Sequence, residues 1–107
     1  MQNQGLLMLD KALELATLEQ KAMEKEDYDD AIMLSRQRGK ITNEAWDFFQ
    51  ADFREEYRTR LLRLQNIHMH LKSLAMQAHE KVQASLQHSR NEKRRMRGYR
   101  AAVSHAL

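Results

Sequence analysis

The sequence predicts an all-α protein, and three observations carry that prediction. In 107 residues there is no proline and only 3 glycines, which removes the usual punctuation of β-hairpins and tight turns. Apolar residues recur at three- and four-residue intervals along most of the chain, the period of a helix with one buried face. The first interruption, residues 24–30, is acidic and so suits the positive end of a new helix. The arrangement expected is an antiparallel helical hairpin plus a long third helix and a short basic C-terminal helix. It forms a single domain over 1–107, with helices near 5–25, 28–51, 54–89 and 91–104.

Helix one rests on Leu6, Leu9, Leu13, Ala16 and Met23, with Leu7, Met8, Leu15 and Leu18 widening its apolar side. Asp27, with Asp30 three residues later, is placed to cap helix two. That helix reads Ala31, Leu34, Arg38, Ile41, Ala45 and Phe48, a 3–4 spacing with one charged member. Gly39 within it costs about 1 kcal/mol relative to alanine and is expected where a neighbouring helix approaches closely. Trp46, Phe49, Phe53 and Tyr57 form a second stripe. Its rings are expected to lock the corner between helices two and three with Trp46 buried, the sharper alternative being an exposed aromatic anchor for a partner.

A turn near Asp52 leads into helix three, which follows Tyr57, Leu61, Leu64, Ile67, Leu71, Leu74, Ala78, Val82 and Leu86. Ser89-Arg90-Asn91-Glu92 has the pattern of a capping box and is taken as the start of helix four. At about 1.5 Å per residue helix one spans about 30 Å, helix two about 37 Å and residues 54–89 about 54 Å. Helix three should therefore outgrow the hairpin that covers it while still carrying apolar residues. Such a surface calls for a second copy, the folded-back tail, or a client helix.

Charge divides the chain. Residues 1–53 hold 11 acidic and 6 basic side chains, a net of −5, and residues 54–107 hold 4 acidic and 12 basic, a net of +8. The basic excess is densest at Arg90, Lys93, Arg94, Arg95, Arg97 and Arg100. Docking on an acidic protein surface and a solvated helix end account for that run equally well. Nucleic acid ranks below both, because the run has one aromatic residue and no recognised binding motif.

No cysteine means no disulfide and no thiolate chemistry. The five histidines, His68, His70, His79, His88 and His105, never fall at i, i+3 or i, i+4, so no metal site is expected. There is no phosphate-binding glycine loop and no nucleophile context, so neither catalysis nor a cofactor is expected. No apolar run approaches the ~20 residues of a membrane span, and residues 1–5 lack a signal-peptide layout. The expected compartment is the cytoplasm, with no membrane insertion.

Several features run in a characteristic order. A leucine-rich first helix precedes the acidic turn Glu26-Asp27-Tyr28-Asp29 and then Ala31, Leu34, Arg38 and Ile41. A long helix with Leu61, Leu64, Ile67, Leu71 and Leu74 follows, and the basic run Lys93-Arg94-Arg95-Met96-Arg97-Gly98-Tyr99 closes the chain. This order resembles the flagellar type III export chaperones of the FliT type, related to FlgN. Gly39 and the aromatic density at 46–53 depart from that pattern.

The resemblance implies a helical cytoplasmic protein that binds the C-terminal amphipathic helix of a filament-cap or hook-associated protein, prevents its premature assembly and delivers it to the export ATPase complex. The client surface is expected at Leu64, Ile67, Leu71, Leu74, Ala78 and Val82. A regulatory tail is expected at Arg94, Arg95, Met96, Arg97 and Tyr99, serving either as a removable cover of the client groove, as the last helix does in some members, or as a handle for an acidic partner. The rival readings are a coiled-coil adapter that pairs as a homodimer and a small nucleic-acid-binding regulator using residues 90–100.

Overall fold

The computed structural model describes residues 3–106, and of residues 92, 93 and 95–106 it describes the backbone alone. The protein is all-α. Helix α1 is Gln4–Glu24 and α2 is Tyr28–Ala45; two single 3₁₀ turns, Trp46–Phe48 and Ala51–Phe53, lead to α3, Arg54–Ala106. No strand occurs among the described residues. None of these helices is long and apolar enough to cross a membrane. The chain divides into two compact units, Met1–Ala75 and Met76–Leu107, where the sequence reading has one domain.

Asn3 starts α1 by accepting the Leu6 N–H on its side-chain oxygen, which satisfies one of the donors that every helix N-terminus leaves open. The buried residues Leu9, Ala12, Ala16 and Glu19 then follow at 3–4 spacing. Their small members let α2 pack closely against α1. The helix stops in a Schellman turn. The Asp27 N–H bonds the Ala22 carbonyl at 2.8 Å, the Glu26 N–H bonds the Met23 carbonyl at 3.1 Å, and Glu26 adopts a φ of 60°.

Helix α2 buries Ala31 and Ala45 and half-buries Leu34, Arg38 and Ile41, the stripe its spacing predicts. It starts at Tyr28 with Asp27 in the N-cap position, as expected, but without the capping bond. The hydrogen bond and charge of Asp27 instead hold the Asp30 carboxyl above the usual carboxylate range. Gly39 also differs, because a Cβ there would meet nothing within 4 Å. The end of α2 is a third correction: the helix stops at Ala45, not near 51. In a 3₁₀ turn residues i and i+3 eclipse, which puts the rings of Trp46 and Phe49 on one side, against Tyr57.

The core of the first unit gathers Leu6, Leu9, Ala12, Ala45, Tyr57 and Leu64 from all three helices. Tyr57 is the largest side chain fully buried in it. Its hydroxyl lies 2.9 Å from both Asn3 Oδ1 and the Ala45 carbonyl oxygen, while Asn3 Nδ2 donates to the Phe48 carbonyl oxygen at 2.7 Å. A single buried asparagine therefore joins the start of α1, the first 3₁₀ turn and the start of α3, and Tyr57 ties in the end of α2. Glu19 and Arg38 form a second tie at 2.9 Å, and Arg38 also reaches His68 Nδ1 at 3.4 Å. The charged member of the α2 stripe is explained by this pair, since a buried arginine needs an anion beside it.

No fourth helix begins after Ser89. The backbone of α3 continues unbroken through 89–92 to Ala106, in place of the separate helix expected at 91–104. A capping box works only where the chain already leaves helical geometry. Around Ser89 stand good helix formers such as Gln87, Arg90 and Lys93, with neither glycine nor proline to stop propagation.

Candidate functional site

The client stripe expected on α3 divides by burial. Leu64 and Leu71 are 6% and 5% exposed, so their faces are already occupied within the first unit. Ile67 and Leu74 are half-buried there. In the second unit Ala78 is half-buried, whereas Val82 and Leu86 are 47% and 51% exposed. All of these positions follow one 3–4 register along the helix, so the pattern that fills the core at Leu64 and Leu71 carries on as accessible apolar side chains at Val82 and Leu86. Of the expected regulatory tail, Arg94 is exposed. The side chains of Arg95, Met96, Arg97 and Tyr99 lie outside the described residues, although their backbone belongs to α3.

A second apolar surface lies in the first unit, and it overturns the expected burial of Trp46. The indole is 49% exposed. It packs 5.7 Å from the Phe49 ring and 5.9 Å from the Tyr57 ring, centroid to centroid, and Phe49 meets Tyr57 edge-on at 5.1 Å. These are ordinary tilted and T-shaped aromatic geometries. Tyr57 occupies the core, so Trp46 and Phe49 rest on its outer side. Together with Leu61 and Leu62 they line an open cleft of about 280 Å³. Arg54 and Arg58, one helical turn apart, stand on its rim with Gln65.

Sequence reasoning singled out the aromatic residues but assigned them to the interior, and it passed over the arginines. The available signal was the spacing of Arg54, Arg58, Leu61, Leu62 and Gln65, which places basic and apolar residues on one side of α3 beside Tyr57. Among the described residues no group of His, Asp or Glu is arranged to hold a metal ion. Burial raises the Tyr57 phenol above its ordinary value of 10.0, and its two acceptors are used for packing three segments together.

Comparison of the chain with protein-family models, with characterised proteins and with solved structures returns no match in any of the three. The described residues form an all-α protein whose accessible apolar surfaces include one on the second part of α3 and one at the corner of the first unit.

Proposed function

We propose that the protein is a cytoplasmic export chaperone of the flagellar type III system. It binds the C-terminal amphipathic helix of a filament-cap or hook-associated protein, keeps that client from assembling early and delivers it to the export ATPase complex. The observation that carries this reading is the change of burial along one stripe of α3, from Leu64 and Leu71 inside the core to Val82 and Leu86 in the open. An amphipathic helix laid on an apolar helical face needs only alternating anchors at 3–4 spacing and no covalent chemistry, which is what a binder that must later release its client requires. In this reading α1 and α2 form an antiparallel hairpin, α3 extends it, and the basic end of the chain is a handle for an acidic partner.

The 3–4 register of Ala78, Val82 and Leu86 also favours a second reading, a coiled-coil adapter in which α3 pairs with its own copy. One titration separates the two. Peptides from the C-terminal helices of a filament-cap and a hook-associated protein are titrated onto the wild type and onto Val82→Asp and Leu86→Asp. The chaperone reading expects binding of one peptide and at least roughly tenfold weaker binding by each variant, because each buries a carboxylate against the client. Both sites are exposed, so helicity should not change. A concentration-dependent dimer that ignores both peptides supports the adapter instead.

A further inference from the structure

The cleft at the corner of the first unit uses none of the residues assigned to the client, and its lining has a definite chemistry. Trp46, Phe49, Leu61 and Leu62 give it an apolar floor, and Leu62 is 50% exposed. Its only charged lining residues are Arg54 and Arg58, and neither is ion-paired among the described residues. No carboxylate lines it. The volume of about 280 Å³ falls just below the range for small-molecule pockets, about 300–1,000 Å³, and has room for one or two side chains of a peptide.

We propose that this cleft is a second binding site, whose ligand is an acidic peptide segment with a large apolar anchor. The anchor side chain fills the space over Leu61 and Leu62 and shields the Trp46 and Phe49 rings from water, the kind of contact that dominates binding at small interfaces. Carboxylates flanking it accept paired hydrogen bonds from the Arg54 and Arg58 guanidinium groups, whose planar forks match a carboxylate. Both charges already sit at the rim, so the ligand need not displace an existing ion pair. A long polyanion suits the site less, because the lining offers only two cationic residues beside an apolar floor. The cleft therefore selects a short run of acid beside an apolar residue.

Trp46 is the only tryptophan in the chain, so the site carries its own reporter. The probe is a tryptophan-free synthetic peptide with one phenylalanine flanked on each side by two glutamates. It is titrated onto the full-length protein with acrylamide present as a neutral quencher. The expected result is a blue shift of Trp46 emission and reduced quenching, with affinity falling several-fold as salt is raised. Arg58→Glu should weaken binding by roughly tenfold or more through loss of one fork and reversal of its charge. Leu62→Ser should weaken it while leaving the salt dependence in place. Arg58 and Leu62 are both exposed, so circular dichroism should report unchanged helicity in each variant.

The proposal is overturned if a matched peptide with lysine for glutamate binds equally well. It is also overturned if Trp46 does not respond at millimolar peptide, or if a single-stranded oligonucleotide displaces the peptide at lower concentration. A blue shift that follows protein concentration without peptide would assign the cleft to a second copy of the chain and overturn it as well. Variants at Val82 and Leu86 should leave this titration unchanged, which keeps its outcome independent of the chaperone reading.

Discussion

The hydroxyl of Tyr57 reaches Asn3 Oδ1 and the Ala45 carbonyl oxygen, each at 2.9 Å, with one hydrogen to give. Tyr57→Phe removes that donor from a buried site and should cost about 1–2 kcal/mol in urea unfolding at neutral pH. The effect has a pH signature. Because burial raises the folded phenol above the ordinary 10.0 of the unfolded chain, its contribution is whole below that value and is lost as pH rises through the folded pKa. The stability gap between wild type and Tyr57→Phe should therefore hold steady up to about pH 9 and narrow above about pH 10. A gap that does not change with pH would contradict this assignment.

Gly5 makes the same point from the other side. A Cβ there would overlap the Tyr57 hydroxyl and lie 2.6 Å from the Ala45 carbonyl oxygen. Gly5→Ala gains helix propensity yet should lose about 2–3 kcal/mol or more, because neither the buried ring nor the backbone can move aside cheaply. A rise in thermal midpoint would show that the close approach is not what the glycine serves. Sequence patterning could not reveal this role, since Gly5 meets residues 40 and 52 positions away.

At the scale of elements, periodicity located helices and misjudged their ends. The stripe Ala31, Leu34, Arg38, Ile41 and Ala45 was legible because burial imposes it, and its one charged residue was legible as an exception whose partner, Glu19, was not. Boundaries failed where local signals competed with tertiary contacts. Trp46 to Phe49 continue the helical spacing, but their rings reach Tyr57 from a 3₁₀ turn. Ser89 to Glu92 match a cap, but nothing there breaks the helix. Gly39 is the opposite error, a glycine assigned a packing role where the space is open. Gly39→Ala should accordingly raise stability by about 1 kcal/mol. A loss of stability would restore the packing role.

For the whole molecule, the sequence could show that α3 carries more apolar stripe than a short hairpin covers, but not where the cover ends. Burial divides the six expected client residues, taking Leu64 and Leu71 into the core and leaving Val82 accessible. The aromatic cleft was half legible: its rings stood out in the sequence, but their exposure depends on Tyr57 claiming the interior position. Hydrogen exchange measured by mass spectrometry, with and without a bound client-helix peptide, tests the central claim most directly. Amides from Met76 to Asn91 should exchange quickly in the free protein, because a solvent-exposed stretch of helix opens easily, and become protected when the peptide binds. Amides around Tyr57 and Leu64 should be slow in both states. Protection that falls outside residues 76–91, or a segment already protected in the free protein, would contradict the assignment of this part of α3 to a client.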